Sequence, residues 1–280
     1  MQAAHVSSLV MLELYHHGSS VCAAKVRFTL DEKGVPVDEY HYVDILKGEQ
    51  FDPAFLKINP HAVVPSLVHD GKVINESTLI CEYLDDVFPE PRLQPEDPFA
   101  RHRMKLWTKA VDELLHPACA EVTFVSCHRH IIKRLSPEAL EAFLDNTPEH
   151  SVKGGWRQRK RELVMLGFDA PGVDAKFRLY DSHLKQMEAA LRNQSWLAGD
   201  AFSLADISLA PYVNRLDMLS MSELWENGRL PQVAAWFARI KSRPAFQSAL
   251  LDWCPSELTA DLARYGALSW PKVSQIVAGT

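Results

Sequence analysis

The spacing of hydrophobic and polar positions changes along the chain. Leu9-Val-Met-Leu-Glu-Leu-Tyr15 is a short apolar run of strand length that stops at the polar loop His16-His17-Gly18-Ser19-Ser20. Beyond it Val21, Ala24, Phe28 and Leu30 fit a helix that Gly34 closes. Residues 39–45 read as a second strand. Residues 66–68 and 73–74 read as a hairpin around Asp70-Gly71, a dipeptide suited to a two-residue turn. From Ser77, the stripe Leu79, Ile80, Tyr83, Leu84 and Val87 predicts a helix that ends near Pro89. The stretch 89–98 carries prolines at 89, 91, 95 and 98, the strongest linker signal in the chain.

After that stretch the period is helical. Trp107, Val111, Leu114, Ala118, Val122 and Val125 recur at steps of three or four and predict one long helix over 99–126, kinked by Pro117. Phe177, Tyr180, Leu184, Met187 and Leu191 form a second stripe. Ser203 with Asp206 three residues on is close to a capping box, and another helix begins at Pro231 and stops before Arg243-Pro244. The order β-α-β, then ββ-α, is thioredoxin-like. The expected architecture is therefore an α/β thioredoxin-like domain over 8–90, a linker over 91–98 and an all-helical domain over 99–280. A long insertion, 128–173, carries Gly154-Gly155 and Pro171-Gly172.

Composition narrows the functional classes. Thirty-six acidic against thirty basic side chains give a net charge of -6, a poor basis for neutralising phosphates, so nucleic acid is not an expected partner. The basic run Arg157, Arg159, Lys160, Arg161 reads as a solvated helix face. The five cysteines, 22, 81, 119, 127 and 254, include no CxxC pair and suit free thiols in a reducing compartment. No signal peptide and no span of apolar residues long enough for a membrane is visible, so a cytoplasmic location is expected. The closest pairs among twelve histidines, His16-His17 and His128-Arg-His130, lack metal-ligand spacing, and no metal site is read.

Several segments carry a resemblance. Leu14-Tyr-His-His-Gly-Ser-Ser-Val-Cys-Ala-Ala-Lys-Val-Arg27 is similar, without a gap, to the catalytic loop of zeta- and theta-type glutathione transferases. Asn59-Pro60, Val64-Pro65 and Glu76-Ser77 stand where that family binds glutathione, and 196–207 resembles its C-terminal signature. The stretch 57–90, Asp97-Pro-Phe-Ala-Arg and Trp107-Thr-Lys-Ala-Val-Asp-Glu113 look most like bacterial glutathione-dependent β-aryl etherases.

The resemblance implies a homodimeric enzyme that ionises the thiol of glutathione, its co-substrate, for attack on a small hydrophobic or aromatic electrophile, as in detoxification or aromatic-compound degradation. A free thiol has a pKa of ~8.5, so activation must stabilise the thiolate. Ser20, at a helix start, is implied as the catalytic residue, with Ser19 and Cys22 as alternatives. Val64 and Pro65 (a cis bond) are implied to meet the cysteinyl part of glutathione, and Glu76 and Ser77 its γ-glutamyl end. Its glycyl carboxylate falls to Gln50, with His61 and Lys47 as alternatives, because Val63 occupies the position before Val-Pro where the family often has an amide or a base. His16, His17, Trp107, Glu121, Phe124 and His128 are candidates for the second-substrate pocket. Ser20 as a mere helix cap and Cys22 as a small core residue are the plain structural readings. Two other functions stay open: a cysteine-type thiol–disulfide reductase using Cys22, and a non-catalytic binding protein on the same fold.

Overall fold

The computed structural model describes residues 11–146 and 155–279. The expected strand at 9–15 appears as β1, Leu12–His16; Leu9, Val10 and Gly154 lie outside the described residues. α1 follows at Val21–Lys33, β2 at Glu39–Tyr42, a short α2 at Pro53–Ile58, β3 at Ser66–His69, β4 at Lys72–Asn75 and α3 at Ser77–Val87. The strands form a four-stranded sheet in the order β2-β1-β3-β4, with β1 and β2 parallel and the other pairs antiparallel. Asp70 and Gly71 both have positive φ, which gives the hairpin the twist its strands require. The second strand stops at Tyr42, short of the expected residue 45.

α1 has no exposed face of any width. Its apolar side packs on the sheet, while α3 and the helical domain cover the rest, so Lys25, Arg27 and Thr29 are buried with Phe28 and Leu30. The charges are tolerated because they are hydrogen-bonded. Lys25 donates to Thr78 and Asp112, and Arg27 donates to the carbonyls of His17, Gly18 and Ala249. The proline-rich connection is likewise anchored. Asp85 accepts from Lys33 and from the amides of Leu93 and Gln94.

The long helix extends further than its stripe suggested and is not regular. α4 (Pro98–Ala110), α5 (His116–Thr123) and α6 (Arg129–Ile132) are joined by five-residue π turns at Val111–Leu115 and Phe124–His128. The first turn directly precedes Pro117: the His116 amide donates to Val111, five residues back, and the widened turn absorbs the missing proline donor. The insertion supplies α7 (Pro137–Asp145) and α8 (Trp156–Leu166). Its basic run is not the solvated face expected. Lys160 is 3% exposed, donating to the Phe143 carbonyl and Asn146, and Arg159 and Arg161 pair with carboxylates of three helices.

α9 (Val173–Ala190), α10 (Leu204–Met218), α11 (Pro231–Lys241), a one-turn α12 (Pro244–Phe246) and α13 (Ser256–Ala278) complete the domain. The capping box at Ser203 is present, and its Asp206 also accepts from the Leu197 amide and Trp236 Nε1. Burial pushes that carboxyl up to about 6, against the pull of these donors. One hydrophobic cluster runs from Leu12 through α1 and α10 to Val277. No helix among the described residues is long and apolar enough to cross a membrane.

Candidate functional site

The loop between β1 and α1 is fixed from three sides. Gly18 lies against the Trp253 carbonyl so closely that a Cβ would sit 2.0 Å from it, which only glycine permits. Arg215 of α10 donates to the Ser19 carbonyl at 2.6 Å, and the Ser20 amide donates to His17. Ser20 caps α1: its oxygen accepts from the Ala23 amide at 3.2 Å. An oxygen used as acceptor leaves the hydroxyl proton available to a second group. Ser19 differs, because its hydroxyl is engaged with His17 Nδ1 at 3.1 Å.

The residues expected to hold glutathione line the same end of the sheet. Val64-Pro65 is cis, and among the described residues the Val64 amide and carbonyl have no protein hydrogen-bond partner. Glu76 has φ 68° and precedes α3, which puts the Ser77 amide in the first turn of a helix, where an anion is favoured. Gln50 donates to the Ile45 carbonyl at 3.4 Å, and its buried Oε1 is unpartnered. Lys47 is exposed and paired with Asp44, His61 is exposed, and Val63 is 37% exposed.

The six pocket candidates are dispersed. His16 is fully buried between Tyr40, Tyr42, Trp253 and Arg27, on the face of β1 that carries Leu12 and Leu14. The two-residue alternation of a strand puts it in the core, with the imidazole held down at about 3 by burial and by Arg27. Trp107 donates to the Leu197 carbonyl and ties α4 to the loop before α10, while Glu121 pairs with Arg159 and Lys176 and ties helices together. Phe124 packs edge-on against His128 and Trp156. His17 and His128 remain at the loop between β1 and α1. Burial lowers both, to about 4 and about 3, with Arg215 adding like charge to each.

Family models for the N-terminal and C-terminal domains of glutathione S-transferases match residues 14–92 and 170–239. Protein LigF of a Sphingobium species is 36% identical over 243 residues, covering 84% of this chain and 91% of that protein. The chain belongs to the glutathione S-transferase family. The crystal structure of the β-etherase LigF superposes with a TM-score of 0.75, covering 85% of this chain and 98% of that one. Glutathione S-transferase Z1 of Arabidopsis thaliana is 31% identical over 248 residues, covering 85% of this chain and 91% of that protein.

In this glutathione S-transferase two arrangements escaped the sequence reading. The first surrounds Cys22. Its half-buried Sγ lies 3.3 Å from His116 Nδ1 and 3.5 Å from the Tyr212 hydroxyl. Burial works against ionisation, yet the charge and hydrogen bond of His116, then Lys25 and Tyr212, bring the thiol down to about 6. The thiolate in turn raises His116. Burial pushes Cys81 up to about 11 and Cys127 to about 12, as expected of inert core thiols. The second is Arg215, whose signal was available as a charged residue on the otherwise buried helix α10. His116 and Tyr212 gave no comparable signal, since 94 and 190 residues separate them from Cys22.

Proposed function

We propose that this transferase uses Ser20 to hold the glutathione thiolate and directs it at an aromatic ether, forming a carbon–sulfur bond as the aryloxide leaves. Ser20 carries the reading: its oxygen caps α1 while its proton remains for the sulfur, beside the positive end of the helix. Val64 with Pro65, Glu76 and Ser77 hold the peptide, and Gln50 takes the glycyl carboxylate, with His61 and Lys47 as the alternatives. The ether specificity rests on the likeness to the β-etherase LigF. A β-(4-nitrophenoxy) ketone should release 4-nitrophenolate, read by its absorbance, only when glutathione is added. Conjugation of an activated aryl halide with no phenolate release would sink the ether reading and leave the transferase.

The same proposal includes a homodimer. Leu79, Phe99, Leu106 and Leu114 of α3, α4 and the adjoining π turn are 58%, 70%, 54% and 47% exposed, an apolar surface suited to a second subunit. Sedimentation across micromolar concentrations that finds only the 31.6 kDa species refutes it.

A second reading is favoured by the Cys22–His116 contact. A thiolate there attacks a glutathionyl mixed disulfide, releasing the substrate thiol, and a second glutathione frees Cys22 as glutathione disulfide. Reductase activity that survives Cys22→Ala excludes it.

A further inference from the structure

We propose that Arg215 is an anion-binding residue of the second-substrate site, and that the preferred electrophile is an aromatic compound bearing a carboxylate or phenolate oxygen. The inference rests on the transferase reading above and specifies its substrate.

Arg215 sits in the last part of α10 and is 5% exposed. One terminal nitrogen donates to the Ser19 carbonyl, while the buried Nε has no hydrogen-bond partner. Among the described residues no carboxylate lies within ion-pair distance of it. The idle Nε, more than the missing carboxylate, sets it apart from Lys33, Lys25 and Arg27. Lys33 has Asp85, Lys25 has Asp112, and Arg27 is held by backbone carbonyls and His16. The ionisable neighbours on adjoining elements do not compensate, since His17 and His128 are imidazoles that burial keeps neutral near pH 7. A buried guanidinium with an idle donor and no counter-charge is costly to fold around, and an incoming anion removes that cost.

The surroundings give the rest of the ligand. Arg215 lines a small cleft with Ser19 and Ser20, so a group bound there lies beside the hydroxyl assigned to the thiolate. Val21, Ala24, Pro211, Met218 and Leu250 make most of the remaining wall, with Gly18, Asn214 and Cys254, and the cleft has room at its depth for one small polar group, which leaves a ring at its mouth. The free Nε–H, beside the terminal nitrogen that holds the Ser19 carbonyl, offers an anionic oxygen a charge-assisted hydrogen bond.

The test compares 4-chloro-3-nitrobenzoate with 4-chloro-3-nitrobenzamide. In both, the glutathione thiolate displaces chloride at the same ring carbon. After division by the uncatalysed rates, the wild-type protein should prefer the acid. Arg215→Met should cut kcat/KM for the acid about tenfold to a hundredfold more than for the amide, the worth of a charge-assisted hydrogen bond. Arg215→Lys should restore part of the preference, since it keeps the charge but loses the fixed Nε donor. Equal losses on acid and amide in Arg215→Met overturn the proposal. So does a raised KM for glutathione with the acid-to-amide ratio unchanged, which would give Arg215 to glutathione instead. Calorimetry of the wild-type protein saturated with S-methylglutathione supplies a reading that needs no variant and no turnover. Benzoate should bind at least tenfold tighter than benzamide, and equal affinities refute the proposal even if the transferase reading stands.

Discussion

Removing the Ser20 hydroxyl separates two functions carried by one oxygen atom. In Ser20→Ala the Ala23 amide loses its cap at the start of α1, which costs ~1 kcal/mol within a range of 0.5–2. For a chain of this size that lowers Tm by roughly 2–4 °C. The glutathione thiolate loses a hydrogen bond in the same variant. If that bond lowers the thiol by one to two pKa units, the loss is ~1.4–2.7 kcal/mol, or about tenfold to a hundredfold in turnover. Glutathione affinity should change far less, because the effect falls on the ionised sulfur. Ser20→Asp divides the two effects, since a carboxylate caps the helix well but has no proton to donate and repels the thiolate. Its Tm should return to the wild-type value, while turnover stays at or below that of Ser20→Ala. Thermal melts, conjugation kinetics and the ultraviolet absorbance of the bound thiolate against pH provide the three measurements. A Ser20→Ala turnover within threefold of wild type, or recovery of turnover in Ser20→Asp, refutes the assignment.

Alkylation of Cys22 by iodoacetamide should follow a titration centred near pH 6, slow below it where the thiol is protonated and level above it. His116→Asn should move the midpoint up by at least about one unit, and a wild-type midpoint above pH 8 disproves the Cys22–His116 pairing. Asp206→Ala strips the acceptor from the amides of Leu197 and Ser203 and from Trp236 Nε1. Stranding these buried donors should cost about 3–5 kcal/mol in denaturant unfolding, and a cost below about 1 kcal/mol refutes that account.

Much of the fold was legible because its signals are local. The turn at Asp70-Gly71, the stop at Gly34, the capping box at Ser203 and the stripes of α3 and α9 depend on neighbours a few residues away. Ser20 was legible for the same reason, since a helix cap is set by the residues beside it. The errors fell where distant segments decide. The strand was visible in the sequence as an apolar run, but that it takes in His16 and turns it inward depends on which side α1 and Trp253 cover. Arg157–Arg161 looked solvated because charge alone does not reveal that carboxylates and a carbonyl of α7 and Glu121 of α5 await it. A thiol's acidity is likewise no property of its flanking residues. Cys22 follows a helix cap and has Lys25 three residues on, but the strongest pull comes from His116 of α5, with Tyr212 of α10 adding to it. Arg215, 195 positions beyond Ser20, reaches the catalytic loop only when α10 packs across α1. Local preference set the elements of this chain. Their packing fixed the charges around the sulfur, because Coulomb interactions depend on distance in space and on exclusion of water, neither of which is written in sequence order.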